Sequence, residues 1–204
     1  AQFIHIDIDG TEVGRNYEAL RLVGDAKLTV AALTSALESM DLALRGQLRS
    51  PVTERIIAAK QRGRDDATHM RSTDSPLRPE RIMAEIDSRL TQDTIVTADA
   101  SYSSLWVSGF LTARAAGQRF ITPRGLAGLG WGLPLALGAK AAAPSSKVIC
   151  VVGDGGFGHC WQELETARRM GLHVVVILLN NGILGFQKHA ELVKFGAHTN
   201  AIDF

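Results

Sequence analysis

An aspartate between two glycines follows one of the apolar segments of this chain of 204 residues. Asp154 stands in the run VICVVGDGGFGHC at 148–160, directly after a predicted buried strand. Gly153, Gly155 and Gly158 also fit the dinucleotide-binding pattern G-x-G-x-x-G. A carboxylate among the backbone amides would repel a pyrophosphate group unless a divalent cation lay between the two charges. The spacing therefore leaves two alternatives, a dinucleotide site and a metal-bridged phosphate site.

The end of the next predicted strand, HVVVILLNN, favours the metal-bridged alternative. A dinucleotide fold needs an Asp or Glu about twenty residues beyond the glycines to hold the ribose, whereas this strand ends in two asparagines, the second being Asn181. Magnesium takes oxygen ligands from one or two protein side chains, phosphate and water. We therefore predict a magnesium site made by Asp154, Asn181 and the backbone carbonyl of Ile183. The phosphates would contact the amides of Gly155 and Gly156.

Each motif also has a purely structural interpretation. Asp154 is equally well placed to cap the helix that follows its strand. The glycines of GLAGLGWG at 125–132 would let a helix pack close to the sheet, with Leu129 as an ordinary core residue. These interpretations stay open at the level of the sequence.

Composition and charge exclude several classes of partner. The chain has 22 Lys and Arg against 21 Asp and Glu, so it has no net field that would attract nucleic acid or an anionic membrane. Its two cysteines lack C-x-x-C spacing, which indicates neither zinc nor a disulfide framework and suits a reducing cytoplasm. No apolar run reaches the roughly eighteen residues that a membrane span needs. We expect a cytoplasmic globular protein with no nucleic-acid or membrane partner.

The elements that must position these residues alternate between strand and helix over 77–204. Runs such as KVICVVGD are typical of parallel strands buried on both faces, so we predict an α/β fold in which helices cover both faces of a parallel sheet. Binding loops then lie at the carboxyl ends of the strands. Residues 1–40 contain the strand FIHIDID and a helix, capped by Asp25, with one buried face; they are predicted to end a preceding domain. The arginine-rich segment 41–76 is predicted as a helical linker.

The motif GDG at 153–155, followed after twenty-four residues by NN at 180–181, resembles the thiamine-diphosphate motif. The runs ITPRGLAGLGWGLPLALGAK, GDGGFGHCWQELETA and FIHIDIDGTEVGRN resemble the acetolactate synthase branch of the thiamine-diphosphate enzymes, so that the resemblance covers nearly the whole chain. It implies that 1–40 form the tail of a Rossmann-like central domain. It also implies that 77–204 form most of the cofactor domain without its end, the pyrimidine-binding domain lying outside this sequence.

The resemblance implies a reaction and its cofactors. Members of this branch use thiamine diphosphate and Mg²⁺ to decarboxylate a 2-keto acid and then ligate the product to a second carbonyl compound, as in branched-chain amino acid biosynthesis. They are homodimers or homotetramers, and the glutamate that activates the cofactor comes from a partner subunit. Residues 1–204 alone are therefore expected to be inactive. Because relatives bind FAD or another nucleotide through the central domain, FAD is an open alternative here.

The resemblance also implies the roles of individual residues. A large apolar side chain wedges the bend of the cofactor, and Leu129 stands where the family has methionine. The carbonyl of Ala127 and the amide of Leu129 would hydrogen-bond the aminopyrimidine, and the two residues are the predicted catalytic pair. The full set of predicted cofactor contacts is Ser101, Tyr102, Ser103, Ala127, Gly128, Leu129, Gly153, Asp154, Gly155, Gly156, Asn181, Ile183 and Leu184.

Two departures from the synthases leave the reaction open. DASYSSLW at 99–106 replaces a run of glycine, glutamine and histidine, and GILGFQKHAEL has Phe186 and Ala190 where the synthases have methionine and tryptophan. The alternatives are a related thiamine-diphosphate decarboxylase or acyl-transferring lyase, and a cofactor-binding paralogue without catalytic activity.

Overall fold

The computed structural model describes residues 3–65 and 67–204, with side chains described outside 63–67. The chain divides into two units, Ala1–Asp65 and Asp66–Phe204. Their boundary falls inside the segment predicted as a linker.

Two short parallel strands and a helix begin the first unit. β1 (Ile4–Asp7) pairs with β2 (Leu20–Val23), and α1 (Ala26–Glu38) follows. Asp25 caps α1 as predicted, because its carboxylate accepts a hydrogen bond from the amide of Leu28 at 2.9 Å. No residue of α1 is buried, which corrects the expectation of one buried face. Two strands offer too little apolar surface to cover a helix.

The predicted linker is mostly one long helix. α2 (Ala43–Asp65) carries polar and charged side chains on all sides, with Pro51 in its interior. No helix among the described residues is long and apolar enough to cross a bilayer.

The second unit alternates between helices and strands. Its elements in chain order are a 3-10 helix at Ala67–Arg71, α3 (Pro79–Asp87), β3 (Ile95–Ala98), α4 (Tyr102–Phe110), β4 (Phe120–Ile121), α5 (Gly132–Ala142), β5 (Val148–Gly153), α6 (Asp154–Gly158), α7 (Glu163–Arg169), β6 (Val175–Leu179), α8 (Gly185–Phe195) and a 3-10 helix at Asn200–Ile202. The four strands form a sheet in the order β4-β3-β5-β6, and every pair is parallel. The predicted parallel α/β fold is confirmed.

Alternate residues of β3 and β5 serve two separate cores. On one face, Met83 and Ile86 of α3 pack with Val107 of α4 against Val96 and Val151. This arrangement buries the apolar face of α3, which begins at Pro79, a residue suited to the first turn of a helix.

The opposite face of the sheet is covered by α5. Leu133 and Leu137 pack against Val148, Cys150 and Val152 of β5. Burial raises the pKa of the Cys150 thiol to about 12, so this thiol stays protonated and unreactive near neutral pH. Helices on both faces thus bury β5, and its polar carboxyl end is left at the edge of the sheet.

Candidate functional site

The carboxyl ends of β3, β5 and β6 meet around one cleft. Most of the predicted cofactor-binding residues line it, drawn from loops far apart in the sequence. They are Ser101, Tyr102, Ser103, Leu129, Gly153, Asp154, Gly155, Gly156, Asn181, Ile183 and Leu184. Two predicted residues, Ala127 and Gly128, do not line the cleft and lie on the exposed loop just before Leu129.

Asp154 joins the loops that follow β5 and β6. Its Oδ2 accepts hydrogen bonds from the amides of Asn181 at 2.9 Å and Gly182 at 2.6 Å, and its Oδ1 accepts one from Gly155 at 2.9 Å. The N-cap of α6 is Gly153, so the interpretation of Asp154 as an N-cap is wrong. A carboxylate has about four acceptor positions, and these three bonds leave one on Oδ1.

The loop after β6 brings further oxygens to the same place. Gly182 has a φ of 69°, which turns the chain sharply after Asn181. The side-chain oxygen of Asn181 accepts a hydrogen bond from the amide of Ile183 at 3.3 Å, which fixes this carboxamide within the turn. Asp154, Asn181 and Ile183 were predicted from the sequence to lie close together. In the structure, all three line the cleft.

Gly155 has no room for a side chain. A Cβ there would lie 2.5 Å from Cδ2 of Leu184 and 2.8 Å from Cζ of Phe204. Phe204 is held in place because its amide donates to the carbonyl of Gly182 at 3.0 Å. The amide of Gly155 therefore lies in a close-packed part of the cleft, where a larger residue would displace its neighbours.

The loop between β3 and α4 has an unusual backbone at Ser101. Its φ of 70° and ψ of −147° lie in a region that is almost restricted to glycine. The hydroxyl of Ser104 donates to the carbonyl of Ser101 at 2.8 Å, and Nη1 of Arg124 donates to the same hydroxyl at 3.0 Å. Strain of this kind is concentrated at functional sites, which agrees with the position of Ser101 in the cleft.

Tyr102 and Phe186 make an edge-to-face contact, with ring centroids 5.6 Å apart and planes at 72°. Phe186 belongs to α8, the helix that carries the residues in which this chain departs from the synthases. Two of the departures are therefore in contact with one another, and Tyr102 also lines the cleft.

The loop 124–131 carries the predicted wedge. Leu129 is half-buried and lines the cleft, outside both apolar cores, so it is not an ordinary core residue. Ala127 has a φ of 55°, which is rare for a residue with a Cβ, and the side chain of Leu126 is fully exposed. The loop thus presents apolar surface on both sides of Leu129.

Asp99 is a residue of the cleft that was not predicted from the sequence. This residue is 1% exposed and lines the floor of the cleft. Like Asp154, it directly follows a buried strand, and this shared signal was available in the sequence. Ala100, Leu179 and Gly185 also line the cleft and were not predicted.

The donors present suit a magnesium ion and a diphosphate. No cluster of three or more His, Cys, Asp or Glu side chains among the described residues could hold a metal. The predicted site differs in kind, because it combines one carboxylate with a carboxamide and a backbone carbonyl. All three are hard oxygen donors, which Mg²⁺ prefers, and Mg²⁺ commonly completes its shell with phosphate oxygens and water.

Comparison with known proteins gives a consistent picture. The family described as thiamine pyrophosphate enzyme, C-terminal TPP binding domain, matches residues 99–204. The probable acetolactate synthase large subunit of Methanocaldococcus jannaschii is 33% identical over 210 residues, covering 99% of this chain and 34% of the relative. Acetolactate synthase isozyme 2 large subunit of Escherichia coli K12 is 32% identical over 197 residues, covering 96% of this chain and 33% of the relative.

A solved structure agrees with these relatives. The thiamine diphosphate-dependent 4-hydroxybenzoylformate decarboxylase of Rhodococcus jostii RHA1 superposes with a TM-score of 0.59 and 28% identity, over 65% of this chain and 25% of its own. The chain spans about a third of the length of the curated relatives described above. The family match covers more than half of the chain and includes the loops that follow β3, β5 and β6. The chain therefore belongs to the thiamine pyrophosphate enzymes, and residues 99–204 are their C-terminal cofactor-binding domain.

Proposed function

We propose that this chain supplies the diphosphate and Mg²⁺ end of the active site in an acetolactate synthase-like enzyme. The reaction is decarboxylation of a 2-keto acid followed by carboligation to a second carbonyl compound. The observation that carries the proposal is the meeting of Asp154, Asn181 and Ile183 in one cleft of a cofactor-binding domain of this family. The resemblance to acetolactate synthase large subunits extends over nearly the whole of this chain, which supports the choice of reaction.

Different residues of the second unit would bind the metal, the diphosphate and the rings of the cofactor. Asp154 provides the charge that attracts Mg²⁺, while Asn181 and the carbonyl of Ile183 provide neutral oxygens. The amides of Gly155 and Gly156 are the proposed contacts of the diphosphate. Leu129 holds the bend that brings the two rings of the cofactor together, and Ala127 binds the aminopyrimidine through its carbonyl. When bound, thiamine diphosphate supplies the carbon nucleophile and the electron sink for decarboxylation.

Replacing Asp154 tests this assignment. We expect Asp154→Ala to weaken the Mg²⁺-dependent binding of thiamine diphosphate by more than about 100-fold, because groups that merely orient metal ligands are already worth about 10-fold to 100-fold. Asn181→Ala removes a neutral ligand and should have a smaller effect. Isothermal titration calorimetry with thiamine diphosphate and Mg²⁺ on the full-length protein measures both.

Two further variants make the result specific. Asp154→Asn removes the charge and keeps an oxygen that accepts from the loop after β6, so it should also lose binding. Asp93→Ala removes an exposed carboxylate just before β3, at the opposite edge of the sheet, and should bind normally. Normal binding by Asp154→Ala would show that the magnesium site is wrongly assigned.

A decarboxylase is the second candidate. It is favoured by the similarity to a decarboxylase structure and by the departures at Tyr102 and Phe186, whose rings contact each other. Product analysis with 2-keto acids separates the candidates, because a decarboxylase releases the aldehyde whereas a synthase releases an acetohydroxy acid. Cofactor binding without turnover of any 2-keto acid would instead indicate the non-catalytic paralogue.

The assembly, the flavin and the location belong to the same proposal. Exposed apolar side chains near the cleft, such as Leu126, Trp131 and Trp161, are well suited to a homodimer or homotetramer interface in the cytoplasm. Sedimentation of the full-length protein tests the assembly. The visible spectrum of the purified protein tests for FAD, because bound flavin colours the protein yellow.

A further inference from the structure

Asp99 is a buried carboxylate at which three segments of the second unit meet. Its Oδ1 accepts hydrogen bonds from the amides of Ala100 at 2.9 Å and Trp131 at 3.1 Å, and its Oδ2 accepts one from Gly130 at 3.0 Å. A Cβ on Gly156 would lie only 1.8 Å from Oδ2, so the start of α6 also packs directly against the carboxylate. Asp99 thus contacts its own loop, the loop 124–131 and the helix that follows Asp154.

The chemistry of the site requires a carboxylate. No basic side chain forms an ion pair with Asp99 in the part of the chain that the structure describes, and backbone amides alone stabilise its charge. Each of its two oxygens accepts from the loop 124–131. An asparagine has only one acceptor oxygen, so its NH₂ group would have to face the amide of either Gly130 or Trp131. That contact places two donors together inside the protein, which leaves both without a partner.

The hydrogen bonds from Gly130 and Trp131 to Asp99 are the interactions that restrain the backbone next to Leu129. Gly130 follows Leu129 directly, so the bond from the Gly130 amide fixes the peptide unit that joins the two residues. The chain turns at 124–126, and outside that turn no hydrogen bond ties residues 125–129 to another part of the described chain. The side chain of Leu129 therefore depends on Asp99 for its position in the cleft.

We propose that Asp99 is a positioning residue that sets Leu129 at a fixed distance from the diphosphate end of the cleft. Its carboxylate lies against Gly156 at the start of α6 and accepts from Gly130 beside Leu129, so one side chain joins the two segments that would hold the two parts of the cofactor. The role in catalysis rests on the proposed function, whereas the hold on the loop does not.

The test compares Asp99→Asn with Thr94→Val in the full-length protein. Thr94 is equally buried on the same segment, but its hydroxyl accepts from Thr91 at 3.0 Å near the amino end of β3, away from the cleft. In the cofactor-free protein, we expect Asp99→Asn to reduce the hydrogen-exchange protection of the Gly130 and Trp131 amides by at least about tenfold. Protection within β5 should be retained. Thr94→Val should leave the protection of the Gly130 and Trp131 amides as it is in the parent protein.

Cofactor measurements then connect the loop to the site. Asp99→Asn should bind thiamine diphosphate and Mg²⁺ within about threefold of the parent, because the ligands of the metal are untouched, but exchange of the cofactor's C2 proton should slow by about tenfold or more. Unchanged loop protection, or equal loss of protection in the loop and in β5, would overturn the inference. If the parent protein does not bind thiamine diphosphate, the proposed function fails while the exchange data still decide the hold on the loop.

A second pair of variants covers the case in which Asp99→Asn does not fold. Gly156→Ala keeps the carboxylate but pushes a methyl group into its Oδ2, and should loosen the same two amides. Gly158→Ala is the control in the same short helix. A Cβ there meets nothing within 4 Å, so this variant should leave the two amides as protected as in the parent. Equal protection in these two variants would count against the role of Asp99.

Discussion

The two sides of the cleft are held together in different ways. On the Asp154 side, the loop after β6 is tied to the end of the chain, because Leu184 donates to the carbonyl of Ile202 at 2.8 Å and Phe204 to that of Gly182 at 3.0 Å. On the Leu129 side, the chain turns at 124–126, but outside that turn no hydrogen bond ties residues 125–129 to another part of the described chain, and Leu126 is fully exposed. The proposed diphosphate end is therefore preorganised by backbone hydrogen bonds, whereas the proposed wedge is tied to the rest of the unit through the bonds of Gly130 and Trp131 to Asp99.

This difference matters for catalysis. A metal and diphosphate site needs oxygen atoms at fixed distances, which backbone hydrogen bonds provide. In the proposed function the wedge must instead fit a bent cofactor, and its exposed loop, in which Ala127 has a positive φ, is held at Gly130 by Asp99. Variants in each region should therefore report different quantities.

The largest effect is expected where α5 meets the loop. A Cβ on Gly132 would lie 3.1 Å from both the amide nitrogen and the Cβ of Asp99, and the Asp99 amide is held by its hydrogen bond to the carbonyl of Val151 at 2.9 Å. We expect Gly132→Ala to lower the free energy of unfolding by about 1–3 kcal/mol. Gly138→Ala in the same helix meets nothing within 4 Å and should raise it by about 0.5–1 kcal/mol. Urea denaturation measures both, and a stabilised Gly132→Ala would show that the close approach is not rigid.

Leu129→Ala should separate the two sides of the cleft. We expect the affinity for thiamine diphosphate and Mg²⁺ to stay within about threefold, while exchange of the cofactor's C2 proton slows by about tenfold, because only the bend loses its support. NMR of exchange in deuterium oxide measures the rate. The control is Leu126→Ala, which shortens a leucine that does not line the cleft. Exchange at the parental rate in Leu129→Ala would remove Leu129 from the role of wedge.

The smallest effects concern Ser101 and Ala127, which have a positive φ without being glycine. Ser101→Gly should stabilise the protein by about 1 kcal/mol, because the strain at such positions costs about 1–3 kcal/mol and glycine loses part of the gain through its freer unfolded chain. Ala127→Gly should change stability by less than about 0.5 kcal/mol, since the milder strain there is nearly offset. Thermal unfolding compares the two variants. An equal gain in stability at both positions would contradict the greater backbone strain assigned to Ser101.

The strands and the metal-ligand candidates could be predicted from the sequence because their signals are local. The unbroken apolar run KVICVVGD predicted β5, and the structure buries this strand. The glycines and aspartate after β5, followed by asparagines after β6, predicted a shared site, since parallel strands end at the same edge of a sheet. The spacing was sufficient because hydrogen bonding between β5 and β6 sets their distance almost independently of the side chains.

The role of Asp99 could not be predicted in the same way. Its bonds reach residues 31 and 32 positions away, and nothing in the local pattern says which amides will face a buried carboxylate. The exposure of α1 escaped prediction for a similar reason, because apolar spacing shows that a helix has a face to bury and not whether the fold brings a surface to cover it.

The sequence by itself therefore determined the parallel α/β architecture of the second unit and the oxygen donors at the end of β5 and β6. Both follow from periodicity and from residue types at fixed positions along one strand. Only the tertiary structure decided that Asp99 holds the loop of Leu129, that Tyr102 meets Phe186 and that Gly156 lies against a carboxylate. These contacts join segments separated by tens of residues, and their geometry exists only once the packed helices have set the separation of the loops.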